Sequence, residues 1–331
     1  MKYLVTGGAG FIGSHLVDRI LAEGHDVVVL DNYASGKKSN LAAALATGRL
    51  NLIEGSILSE ADLETAMRGV DVVFHLAVEC VRKSIGDPVS NHHINATGTL
   101  MTLEAARRAK VSRFVYCSSS EVYGNADAGA LSEDETVCQP TTVYGASKLV
   151  GELYTQAYLH TYNMNTCIVR PFNAFGPREH DQGMLAEVIP RFVIKVMNGQ
   201  SPTVFGDGSQ GRDFTYVTDT ADGLWRAAHS DRMAGEIVNL GWGRMVSVKE
   251  VAMEIIRQCG RNDIALEHVP ERPGDIQSLI ARTEKAEYLI GFRPTVTFSD
   301  GVSRYVDWFR SVYPDPSLLL EKDYRNWTLP S

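Results

Sequence analysis

Lys2-Tyr3-Leu4-Val5-Thr6-Gly7-Gly8-Ala9-Gly10-Phe11-Ile12-Gly13-Ser14 decides the fold. The β-type run Lys2–Thr6 passes through a glycine-rich turn into a helix-like segment, Phe11–Glu23. In Gly7-x-x-Gly10-x-x-Gly13 the glycines permit a tight turn, close approach of backbone to a pyrophosphate, and close helix–strand packing. The helix N-terminus supplies free N–H groups and a positive dipole end for that phosphate. The next strand is Asp26–Leu30, and Asp31 ends it, 18 residues after Gly13. A carboxylate there accepts both ribose hydroxyls of NAD and repels the 2′-phosphate of NADP. Lys37 and Lys38 follow Asp31 and read as solvated loop charges.

Outward from this turn, strand-like and helix-like segments alternate. Leu50–Glu54, Asp71–His75, Arg113–Cys117 and Thr166–Arg170 read as strands. Ala61–Arg68, Asn91–Lys110 and Thr142–Thr161 read as helices between them. Such alternation implies βαβ units, a parallel sheet covered on both faces and right-handed crossovers. The expected class is α/β, a Rossmann-type doubly wound parallel sheet with a smaller mixed α/β C-terminal lobe. We place the first domain at residues 1–172 and the second lobe at 173–331, with the chain free to cross back. In that lobe Leu185–Asn198, Thr218–His229, Val248–Cys259 and Ser299–Tyr313 read as helices separated by turn-rich stretches.

The 331 residues carry 32 Lys and Arg against 40 Asp and Glu, a formal net charge of −8. That balance argues against a nucleic-acid binder and against a polybasic membrane-surface protein. No run approaches the length of a membrane span, and no signal peptide is expected. Cys80, Cys117, Cys138, Cys167 and Cys259 are scattered, with no CxxC pair, so neither a zinc site nor a disulfide framework is indicated and a reducing cytoplasm fits. His92 and His93 are adjacent and do not share a helix face, so no metal site is expected there.

Tyr144-x-x-x-Lys148 puts two side chains one helical turn apart on one face. An unperturbed tyrosine is a poor base at neutral pH. A nearby ammonium and the positive nicotinamide ring would favour its phenolate. The run Cys117-Ser118-Ser119-Ser120-Glu121-Val122-Tyr123-Gly124 ends a predicted parallel strand, on the edge where such folds bind ligands.

With these motifs the chain resembles the extended short-chain dehydrogenase/reductase family, in its NAD-dependent nucleotide-sugar epimerase/dehydratase branch. The likeness runs through Thr6–Ser14, His75-Leu76-Ala77, Asn95 with Gly98-Thr99, Ser118-Ser119, Val122-Tyr123-Gly124 and Tyr144-x-x-x-Lys148. It continues through Arg170-Pro171-Phe172-Asn173, Gly176-Pro177-Arg178, Gly206-Asp207-Gly208, Arg212-Asp213-Phe214 and Arg272-Pro273-Gly274-Asp275. The resemblance implies Tyr144 as base, Lys148 as its electrostatic partner and nicotinamide-ribose ligand, and Ser119 as donor to the oxygen that becomes a carbonyl. It further implies NAD contacts from Gly7, Gly10, Phe11, Ile12, Gly13, Asp31, Asn32, Gly36, Ser56, Ile57, Leu76, Ala77, Val78, Asn95 and Pro171. A nucleotide-diphosphate sugar would be held by Ser84, Ser119, Ser120, Asn173, Val204, Phe205, Arg212 and Arg272, with Arg82 and Lys83 placed to receive a sugar carboxylate. Ser56 stands where the family often has Asp, and Val78 where a small Ala is common. A homodimer through the helices near Asn91–Lys110 and Thr142–Thr161 is a family expectation.

Three reactions share oxidation at C4 of the sugar: 4-epimerisation, 4,6-dehydration, and decarboxylation of a uronate. Glu121 separates them. Epimerases resembling UDP-galactose 4-epimerase usually carry small neutral residues at the positions of Ser120 and Glu121. Dehydratases of dTDP-glucose carry Asp-Glu there, and Ser-Glu is similar to GDP-mannose dehydratases and UDP-glucuronate decarboxylases. The expectation is a UDP-sugar 4-epimerase. A 4,6-dehydratase using Glu121 at C5 and a decarboxylase stand as alternatives, and a non-catalytic NAD-binding protein as a rival of another class.

Overall fold

A computed structural model describes residues 1–126, 129–181, 183, 186–271 and 277–320. The Arg272–Asp275 motif and the end of the C-terminal tail lie outside the described residues.

Seven parallel strands form the main sheet, in the spatial order Ile237–Leu240, Thr166–Pro171, Arg113–Cys117, Val72–His75, Lys2–Thr6, Asp26–Asp31, Leu50–Glu54. The strand Lys2–Thr6 pairs with Asp26–Asp31 on one side and Val72–His75 on the other. Strand order reverses at this point. The crossovers on either side therefore leave in opposite directions and open a crevice at the strands' carboxyl ends.

Side chains alternate across the sheet, and both faces are covered. Tyr3 and Val5 pack with Leu16, Ile20 and Leu224 on one face. Leu4 packs with Val28, Leu103, Phe114 and Tyr116 on the other. Helix Val217–His229 lies against the glycine-turn helix Phe11–Ala22, and Ile237–Leu240 extends the sheet beside Thr166–Pro171. Residues well past 172 thus complete the first layer.

The remaining C-terminal segments build a separate core from Phe175, Phe192, Val193, Val251, Ile255, Tyr305 and Phe309. Above it lies a small sheet ordered Met245–Ser247, Gly211–Asp213, Ser278–Ala281, Ala130–Leu131. Helices there run Val188–Met197, Val248–Gln258 and Phe298–Val312, close to the expected spans.

One expected helix is subdivided. The segment read as Asn91–Lys110 is a short helix Pro88–His92, a π-turn His93–Thr97 and a helix Gly98–Ala109. Asp87 caps the first piece and Pro88 opens it. The wider π-turn coincides with Asn95, whose side chain accepts from Glu79 N at 2.8 Å and donates to Glu79 O at 3.0 Å. The turn ties this helix to the loop that follows the strand Val72–His75.

His75 ends that strand, fully buried. Its Nδ1 is bonded to Thr6 Oγ1 at 2.8 Å and its Nε2 to Thr99 Oγ1 at 3.0 Å. Burial, with Lys148 nearby, pushes its pKa down to about 3. The folded chain holds the ring neutral where the unfolded chain protonates it. A pKa lowered on folding contributes stability that is intact above about 6.5 and is lost as pH falls through that value toward 3. The thermal midpoint is therefore expected to fall between pH 7 and pH 5 more steeply in the wild type than in His75→Gln, followed by circular dichroism. Equal slopes would contradict this role for the ring.

Candidate active site

A cleft of about 370 Å3 opens at the carboxyl ends of the sheet and extends under the C-terminal lobe. Its floor at one end is the glycine turn. Gly7 has φ +69°, and a Cβ there would fall 2.8 Å from Ala77 Cα. A Cβ on Gly13 would come 2.2 Å from Gly7 O, so the helix can approach the strand this closely only with glycine. The helix begins at Gly10 with no side-chain cap, which leaves its N–H groups for an anion. Asp31 is buried, and its carboxylate accepts from Ala9 N at 2.9 Å and Tyr33 N at 2.8 Å. Burial raises its pKa, and the two backbone bonds oppose the rise. Thr6 Oγ1 accepts from Leu76 N and Ala77 N, both at 3.2 Å, which fixes the opposite rim. A backbone cradle that a Cβ would fill, an uncapped helix end and a carboxylate at the second strand fit a dinucleotide such as NAD.

At the other end Ser119, Tyr144 and Lys148 meet. Helix Val143–Tyr162 starts on Thr142, whose Oγ1 accepts from Gly145 N at 3.0 Å, and this cap sets Tyr144 in the first turn. Tyr144 and Ser119 line the same cleft, and the Ser119 side chain acts on the phenol. Burial pushes the phenol above its ordinary range, Ser119 pulls it back, and the Glu121 charge adds to the rise. The dominant influence on Tyr144 is thus opposite to the lowering expected from Lys148. Lys148 donates to Cys117 O at 2.5 Å and lies 4.4 Å from the Tyr116 ring centroid. Burial pushes its ammonium down to about 8.

Beneath these groups lies a buried polar network. Arg170 donates to Glu152 in a fork, Nε to Oε1 at 2.8 Å and Nη2 to Oε2 at 2.6 Å. Ser118 Oγ donates to Glu152 at 2.5 Å, and Arg170 Nη1 donates to Tyr123 at 2.8 Å. Tyr123 in turn donates to Asn239 Oδ1 at 2.9 Å. Glu152 is two turns beyond Tyr144 on the same helix face, so the network anchors the helix and the residue preceding Ser119 together.

The cleft gathers most of the residues singled out in the sequence: Gly7, Gly10, Phe11, Ile12, Gly13, Asp31, Asn32, Ser56, Ile57, Leu76, Ala77, Val78, Ser119, Ser120, Glu121, Tyr144, Lys148, Pro171 and Asn173. Others lie behind its wall. Gly36 packs on the glycine turn, where a Cβ would sit 2.9 Å from the Ala9 carbonyl carbon. Asn95 braces Glu79 as described. Ser84 is buried and donates to Val81 O at 2.6 Å. Val204 is wholly buried in the lobe, Phe205 follows it, and Arg212 donates to Gly211 O at 2.8 Å. Arg272 is outside the described residues. Lys37 is more than a solvated charge, because its Nζ meets the buried Asp181 at 3.1 Å. Arg82 forms a two-point ion pair with Glu187, and Lys83 pairs with Glu79 at 3.2 Å.

The cleft also holds residues the sequence did not flag: Glu79, Glu179, His180 and Glu187. Phe214, from the Arg212-Asp213-Phe214 motif, lines the cleft as well. The glutamates carry no local signal, since what brings them together is the packing of the lobe on the sheet.

The fold and cleft define a dinucleotide-binding α/β enzyme with a Ser–Tyr–Lys cluster. The chain belongs to the NAD dependent epimerase/dehydratase family, whose model matches residues 3–241. It is 36% identical over 315 residues to a UDP-glucose 4-epimerase of Mycolicibacterium smegmatis, covering 94% of this chain and 99% of the relative. It is 35% identical over 318 residues to a dTDP-glucose 4,6-dehydratase of Streptomyces niveus, covering 94% and 93%. Among solved structures, a dTDP-glucose 4,6-dehydratase from Streptomyces venezuelae with NAD bound superposes with a TM-score of 0.88 at 34% identity, covering 95% of this chain and 98% of that one. The protein is an enzyme of this family and its cofactor is NAD. No helix among the described residues is long and apolar enough to cross a membrane.

Proposed function

We propose that this enzyme is a nucleotide-sugar 4-epimerase, with a UDP-sugar as substrate, acting through a 4-keto sugar. The observation that carries the reading is the meeting of Ser119, Tyr144 and Lys148 in the same cleft as the glycine turn. NAD, when bound, supplies a hydride acceptor that returns the hydride later. Tyr144 takes the proton of the C4 hydroxyl. Ser119 donates to the same oxygen and holds it during rotation of the ketone. Lys148 stabilises the phenolate, and with its pKa near 8 it is mostly protonated at neutral pH. Gly7, Gly10, Gly13 and Asp31 would hold the dinucleotide at pyrophosphate and ribose, and Asn173 would meet the substrate pyrophosphate.

A second reading has its own support. Glu121 lines the cleft and its charge acts on Tyr144. A carboxylate there fits the base that removes the C5 proton in 4,6-dehydration. The test is incubation with UDP-, dTDP-, GDP- and CDP-sugars, uronates included, with mass readout. A new stereoisomer of unchanged mass supports the epimerase, loss of water supports the dehydratase, and loss of carbon dioxide the decarboxylase.

We also propose a homodimer. Helices Gly98–Ala109 and Val143–Tyr162 lie side by side, with Leu153 and Tyr162 exposed and a cavity of about 660 Å3 beside Leu100 and Met101. Sedimentation at micromolar concentration should give twice the chain mass, and a monomer would refute it.

A further inference from the structure

We propose that the sugar end of this cleft is built for a sugar without a carboxylate, and that Glu187 enforces the choice by filling the Arg82 fork. The inference rests on the nucleotide-sugar reading above and narrows its substrate class.

Among the described residues, three cations that could receive a sugar carboxylate, Arg82, Lys83 and Lys148, are already engaged. Arg82 Nη1 and Nη2 donate to Glu187 Oε1 and Oε2 at 2.9 and 2.6 Å, the geometry a substrate carboxylate would otherwise take. The guanidinium side chain is only 16% exposed and lies behind the cleft wall, where Glu187, which does line the cleft, pairs with it. Lys83 is paired with Glu79 at 3.2 Å. Lys148 is committed to Cys117 O at 2.5 Å.

The acceptors, by contrast, are in excess. Glu79, Glu121, Glu179 and Glu187 all line the cleft. Glu79 Oε2 is buried with no hydrogen-bond partner. Glu179 is almost wholly buried, and burial together with the Glu187 charge pushes its carboxyl well above the ordinary range. A second anion brought into this surface meets carboxylates that burial and mutual repulsion already oppose. Hydroxyls of a neutral sugar, being donors, find acceptors ready for them.

Glu187 is also held from its own side. It is the N-cap residue of helix Val188–Met197, where a negative charge is favoured by the helix end. A uronate would have to displace it from two charge-assisted bonds. Selection of this kind works by rejecting the wrong ligand rather than by gripping the right one.

The test is calorimetric titration of the NAD-loaded enzyme with UDP-glucose, UDP-glucuronate and UDP. UDP-glucose is expected to bind about tenfold or more tightly than UDP-glucuronate. Glu187→Gln keeps the side-chain shape and removes the carboxylate charge paired with the guanidinium, so it should narrow that ratio about fivefold or more, mainly by strengthening UDP-glucuronate. Equal or tighter binding of UDP-glucuronate by the wild type overturns the proposal without touching the nucleotide-sugar reading. A ratio unchanged in Glu187→Gln does the same. Failure of all three ligands to bind, UDP included, overturns both.

Discussion

Tyr144→Phe is expected to lose about 10^2- to 10^4-fold in kcat on whichever nucleotide sugar the wild type turns over, the range of a lost general acid–base group. The hydroxyl is the only group removed, and the ring still fills its buried place in the first turn of helix Val143–Tyr162. NAD affinity, read by calorimetry, should stay within about threefold, because the glycine turn and Asp31 lie at the other end of the cleft. Ser119→Ala should share most of the loss, and the double variant should cost less than the two combined, because Ser119 and Tyr144 act on one oxygen. Turnover within about tenfold of wild type in Tyr144→Phe would remove Tyr144 as the base.

Arg170→Met is the variant expected to cost most in stability. It leaves Glu152, 2% exposed, without its two-point partner. Breaking a buried ion pair from one side costs about 3–5 kcal/mol. At roughly 2–4 °C per kcal/mol for a chain of this size class, the thermal midpoint should drop by the order of 10 °C. Glu152→Gln combined with Arg170→Met should recover part of the loss, since the stranded charge is gone. A drop below about 2 °C in Arg170→Met would show that Glu152 finds another partner or a proton.

The two variants probe parts of the site that differ in how far the sequence betrays them. Gly7, Gly10, Gly13 and Asp31 were readable because a glycine turn between strand and helix is local chemistry. Tyr144 and Lys148 were readable because helical spacing alone puts them on one face. Glu152 continues that face one turn further, yet nothing local tells it from a solvated glutamate. Its partner Arg170 comes from a strand 18 residues on, and only the docking of helix on sheet joins them.

The same limit explains Arg82. Its charge was visible, and a role in receiving a carboxylate followed from position. Glu187, which fills the fork, lies 105 residues away. The strand Ile237–Leu240 is another case, four residues long and joined to Thr166–Pro171 by parallel pairing that no short-range signal encodes. Within the expected helix Asn91–Lys110, the π-turn coincides with the bonds Asn95 makes to the Glu79 backbone, and helical periodicity cannot register those.

The most direct measurement of the central claim is turnover of UDP-glucose in deuterium oxide, read by mass and by proton NMR. Hydride taken from C4 and returned to the opposite face gives the C4 epimer with the original mass, no solvent deuterium on carbon and no net NADH. Loss of water together with deuterium at C5 would contradict epimerisation and assign Glu121 to the C5 proton.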